Sequence, residues 1–176
     1  MSAPAAKILV SVGEKCACIK ITGRANCNSS NDFNALLDEL WRKGCTYFVL
    51  DLTECVLMDS TFLGVLSGFG LRVNTAQSDG LERTLELFNP GERVAELLEN
   101  LGVWHLFKVT QGDVTLPENT TPCELPASHA SSEDCKRTSL AAHELLIKIN
   151  PANAAKFKDV VAFLAEDLKN IEKSSE

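Results

Sequence analysis

A chain of 176 residues with 45% hydrophobic side chains and a formal charge of −7 can bury one sizeable core and still leave material for an extension. The acidic balance, without any cluster of Lys and Arg, excludes a nucleic-acid surface, which needs concentrated positive charge, and favours a basic partner. No apolar stretch approaches the ~18 residues of a membrane span, and MSAPAAKILVSVG has no basic segment leading into an apolar one, so a cytoplasmic chain without membrane contact is expected.

From Lys7, KILVSVGEKCACIKITG predicts a β-hairpin around Gly13-Glu14-Lys15, with Ala17, Ile19 and Ile21 on one face and Cys16, Cys18 and Lys20 on the other. RANCNSSNDFNALLDELWRKG predicts an amphipathic helix with a polar start, apolar Phe33, Leu36, Leu37, Leu40 and Trp41, and a stop at Gly44. TYFVLDL is the near-continuous apolar run of a strand covered on both faces. STFLGVLSGFGLRVNTA is apolar on too many sides for a solvated helix and is expected to be buried. RTLELFN predicts a strand, NPGERVAELLENLGV a helix with Pro90 near its start and Gly102 at its stop, and WHLFKVT a last strand.

Strands alternating with helices after an opening hairpin give an α/β class with a mixed sheet packed by helices. Residues 1–112 are the expected domain. Residues 113–137, rich in Pro, Ser and Thr, read as a linker with little fixed structure, and residues 138–176 as a helical extension. The extension breaks at Asn150-Pro151, placed as N-cap and first helical residue. Beyond the break, Phe157, Val161, Leu164, Leu168 and Ile171 form an apolar stripe, which either folds back on its own domain or pairs with a second copy of the chain.

Asp59-Ser60-Thr61 lies between an apolar run and a glycine-studded one, where a short acidic side chain caps a helix. The surrounding segment, VLDLTECVLMDSTFLGVL, resembles the signature of the STAS family, found in anti-sigma factor antagonists, stressosome components and the cytoplasmic tails of anion transporters. Asp51-Leu52, Asp59-Ser60-Thr61, Leu63 and Gly64 carry the resemblance, which runs from about Lys7 to Thr110. It implies a STAS-like fold and a phospho-switch. The unmodified chain would bind an anti-sigma factor that is a serine-kinase-like protein, and phosphorylation of Ser60 would release it; the chain would be a kinase substrate and not an enzyme.

Thr61 is the second candidate hydroxyl, and Arg24, Asn26, Asp59 and Phe62 are the expected partner contacts. Phe62 departs from the family, which has glycine there, so it either fills a pocket within the domain or protrudes into the partner surface. Two other classes remain: a small-ligand or nucleotide-binding STAS module, and a scaffold or homo-oligomer assembled through the C-terminal helices.

Other constellations carry less. Gly64, Gly68 and Gly70 match no phosphate-loop spacing and suit close helix packing. Cys123, His129, Cys135 and His143 match no zinc template, so neither a metal nor a cofactor is expected. No histidine stands near a nucleophile signature. Seven cysteines without framework spacing, several in apolar runs, read as free thiols packed as small hydrophobes.

Overall fold

The structure, a computed structural model, describes residues 2–175. The hairpin forms as expected: β1 (Lys7–Val12) runs antiparallel to β2 (Cys16–Ala25). Helix α1 (Cys27–Arg42) follows, and then β3 (Tyr47–Asp51), β4 (Cys55–Met58), helix α2 (Ser60–Ser78), β5 (Thr84–Phe88), helix α3 (Glu92–Asn100) and β6 (Lys108–Thr110). WHLFKVT divides into a 3-10 turn at Trp104–Leu106 and the short strand β6. β7 (Cys123–Glu124), α4 (Ser132–Ile149) and α5 (Ala154–Ser174) complete the chain.

The seven-stranded sheet has the order β6-β5-β3-β2-β1-β7, with β4 paired to the far end of β2. β2, β3, β5 and β6 run parallel, while β1 and β7 supply the antiparallel edge. Parallel strands buried on both faces explain the unbroken apolar run of β3, where Phe48, Val49 and Leu50 are all buried. Ala17, Ile19 and Ile21 of β2 join Phe33, Leu37 and Leu40 of α1 and Phe62, Leu63 and Leu66 of α2 in one core.

The sheet reaches the hydroxyl triplet through β4. Its register against β2 shifts between Gly23 and Arg24, and Gly23 takes a φ of +74°. A Cβ there would stand 2.6 Å from the carbonyl oxygens of both Pro4 and Ala5, so no larger residue fits.

The stretch 113–137 is more structured than its composition suggests. β7 adds to the edge at β1, and α4 begins at Ser132, six residues ahead of the expected boundary. Ser131 caps α4, accepting from the Asp134 backbone N–H at 3.1 Å. This start lies in a polar run that reads equally well as linker. Asn150 caps the next segment, but Pro151–Asn153 is a 3-10 turn, with α5 beginning after it. α5 folds back on α4: Phe157, Val161, Leu164 and Ile171 are half-buried, and Leu168 is buried.

Candidate functional site

Asp59 takes the N-cap of α2, and its carboxylate does two jobs. Oδ1 accepts from the Phe62 backbone N–H at 2.8 Å, and Oδ2 accepts from the Cys27 N–H at the start of α1 at 3.0 Å. One side chain thereby fixes the starts of two helices side by side. Asn26 caps α1, its Oδ1 accepting from the Asn28 N–H at 3.1 Å, while the Asn26 N–H donates to Ser29 Oγ at 3.2 Å. Arg24 is exposed two residues earlier, at the end of β2. Arg24, Asn26, Asp59 and Ser60 therefore meet at one end of the sheet.

Phe62 does not share that surface. It is fully buried and stacks on Phe33 with ring centroids 4.5 Å apart and 17° between planes. Of the two places open to it, the ring takes the pocket between α1 and α2, where a stacked aromatic pair gains more than exposure would give. Thr61 is also buried, whereas Ser60 is partly exposed.

The C-terminal extension lies over the two hydroxyls. Ser60 Oγ is 2.8 Å from His143 Nε2, and Thr61 Oγ1 is 3.0 Å from Ser139 Oγ. His143 Nδ1 stands 2.7 Å from the Ser139 carbonyl oxygen, which can only accept, so Nδ1 carries the proton. In the neutral ring Nε2 then accepts from the Ser60 hydroxyl. His143 is itself buried, with its ring 4.7 Å from Phe157 of α5.

One turn along α2 the two backbones nearly touch. A Cβ on Gly64 would lie 2.5 Å from Ala142 Cβ and 2.8 Å from its Cα. A cleft of about 420 Å³ between α1, α2 and α4 opens beside this contact, and Ser60 is not among its lining residues. The Ser60–His143 pair thus has the contact of a nucleophile and base but does not line that cleft.

Sequence reasoning missed the roles of Ser139 and His143. The signal was present: Ser139, Ala142, His143 and Leu146 recur at three- and four-residue spacing, a narrow face of small, polar and apolar groups. The candidate metal ligands stay dispersed, and among the described residues no three such groups gather. The described cysteines are all free, and burial pushes the Cys55 thiol up to about 11. Among the described residues, no helix is long and apolar enough to cross a membrane.

Comparison with known proteins places this geometry. The family model described as STAS domain matches residues 7–114. The unphosphorylated anti-sigma factor antagonist SpoIIAA shares 16% identity and superposes with a TM-score of 0.51 over 61% of this chain and 88% of its own. A protein from Thermotoga maritima, described as a candidate anti-sigma factor antagonist, shares 18% identity with a TM-score of 0.50 over 60% of this chain and 86% of its own. At such identities these likenesses speak for the fold alone. No curated protein matches the chain. With the family model spanning well over half of its length, the chain belongs to the STAS-domain family.

Proposed function

We propose that this protein is a phospho-switch of the anti-sigma factor antagonist type, binding a serine-kinase-like anti-sigma factor when unmodified and releasing it when Ser60 is phosphorylated. The observation that carries this reading is the position of Ser60. It is the first residue of α2, partly exposed, directly after a capping Asp59. A phosphate there adds about −1.5 to −2 charge where the helix macrodipole and free N–H groups tolerate an anion, so the domain keeps its fold while its surface gains negative charge. Thr61, buried, is the weaker acceptor. Arg24, Asn26 and Asp59 border the same end and form the docking rim.

The test is a pull-down from native lysate with the wild-type chain and Ser60→Asp as baits, read by mass spectrometry. Capture of a kinase-like anti-sigma factor by the wild type, lost with Ser60→Asp, is the expected result. Equal capture by both baits, or none by either, refutes the switch.

A further inference from the structure

Helix α4 lies over Ser60 and Thr61, the face that the phospho-switch reading assigns to a kinase or a binding partner. Its contacts with the domain run from Cys135, whose Sγ is 4.0 Å from the Cys27 carbonyl oxygen, through Thr138, hydrogen-bonded to Asn31 of α1, to Ser139, Ala142 and His143 on α2. At its far end, Asn153 Nδ2 donates to the carbonyls of Leu101 and Leu146, at 3.0 and 2.9 Å, and ties the α4–α5 turn to the end of α3. The described extension is thus seated on the three helices of the domain around the candidate phosphoacceptor.

The seat is also incompatible with a modified Ser60. Oγ and Nε2 are 2.8 Å apart, a hydrogen-bond distance that leaves no room for a phosphorus and its three oxygens between them. The interface nevertheless has the composition of a contact that can open. On α4 itself only Ala142, His143 and Leu146 are buried; Leu145, against Gly68, and Ile149 are half-buried, and the remaining contacts are made by the hydroxyls of Thr138 and Ser139, which water can replace.

We infer that α4 is a built-in occupant of the switch face: it covers Ser60 and Thr61 in cis and competes with an external helix for the same seat. The face fits an amphipathic helix that sets a small residue against Gly64 and a hydrogen-bonding side chain against Ser60 and Thr61, as Ala142, Ser139 and His143 do. The extension therefore gates both phosphorylation and partner docking. This inference rests on the phospho-switch reading for what the face is used for, but not for its opening.

Hydrogen exchange on the full wild-type chain tests it without any partner. The expected result is that α4 and α5 exchange together at least tenfold faster than the slowest amides of β3 and of the middle of α2, because they open while the domain stays folded. Equal rates in α4 and β3 overturn the inference, since the extension then opens only with the whole fold. A second arm uses full-length Ala142→Arg, whose long side chain cannot fit against Gly64. Exchange in α4 and the first turns of α2 should rise at least tenfold with β3 unchanged; no change in α4 overturns the inference. Neither arm involves phosphate, so their failure leaves the Ser60→Asp test standing, and failure of that test leaves the opening of α4 standing but removes what it would gate.

Discussion

Gly64→Ala is the sharpest probe of the contact between α2 and α4, because the two possible environments give opposite signs. In a solvated helix, alanine in place of glycine stabilises by about 0.5–1 kcal/mol, mostly through backbone entropy. Here the new methyl would meet Ala142 Cβ at 2.5 Å and its Cα and carbonyl oxygen at 2.8 Å, so backbone has to move by nearly 1 Å. Overpacking of this kind costs about 1–3 kcal/mol, leaving a net loss of up to about 2.5 kcal/mol after the helix gain. At about 2–4 °C per kcal/mol for a chain of this size, Tm falls by up to about 10 °C in calorimetry, and the amides of α4 lose protection from exchange. A rise in Tm with α4 protection unchanged refutes the close approach.

Phe62→Ala empties a fully buried ring site beside Phe33 and is expected to cost about 3–5 kcal/mol in urea unfolding; a loss under about 1 kcal/mol would mean that the ring is not packed there. Asp59→Ala removes the acceptor of both the Cys27 and Phe62 N–H groups, at a cost of about 1–2 kcal/mol, with faster exchange at those two amides than at their neighbours. Glu86 is buried in β5; burial alone would raise its carboxyl, but hydrogen bonds from Thr110, Tyr47 and Lys108 outweigh it and hold the value below the ordinary 4.5. Its stabilising contribution is therefore present above pH 4.5 and lost as pH falls through the lower folded value, so Glu86→Gln should cost about 1–3 kcal/mol at pH 7 and flatten the acid limb of the stability profile. Tyr47 lies on the alkaline side: burial, and then the hydrogen bond to Glu86 and its charge, push the phenol from 10.0 up to about 12, so the stability it lends erodes between those values as pH rises, which ultraviolet titration of Tyr47→Phe against wild type will show.

The sheet and its helices were legible because periodicity and punctuation agreed. Ala17, Ile19 and Ile21 alternate on β2, Gly44 ends α1 with a φ of +87°, and β3 is apolar throughout. β4 was hidden because Cys55–Met58 follows β3 after only three residues and pairs with the end of β2, a register set by the bulge at Gly23 rather than by any local pattern. β7 was invisible at two residues, its pairing supplied by the edge of β1. The hydroxyl triplet was legible as chemistry, but its cover was not. Whether His143 faces Ser60 depends on how two segments about eighty residues apart come together, and no local spacing encodes that.

That cover changes what the affinity of the switch can be. If the seating of α4 is worth about 2 kcal/mol, an external helix competing for the face binds about 30-fold more weakly than it would to the bare domain. At about 5.5 kcal/mol the penalty reaches about 10⁴-fold, and the face would be shut to all but the tightest partners. The burial of Leu146 favours the seat by about 1.5–3 kcal/mol, while the hydrogen bonds at Ser60 and Thr61 add about 1 kcal/mol each before the entropy of ordering the extension is subtracted. On the phospho-switch reading, these terms together with the contacts of Thr138, Leu145 and Asn153 set how readily a partner helix would displace α4, and a phosphate on Ser60 would prevent its return. Gly64 is central to that balance: the absence of a side chain lets α4 approach closely enough to cover Ser60, yet gives little apolar area to hold it there.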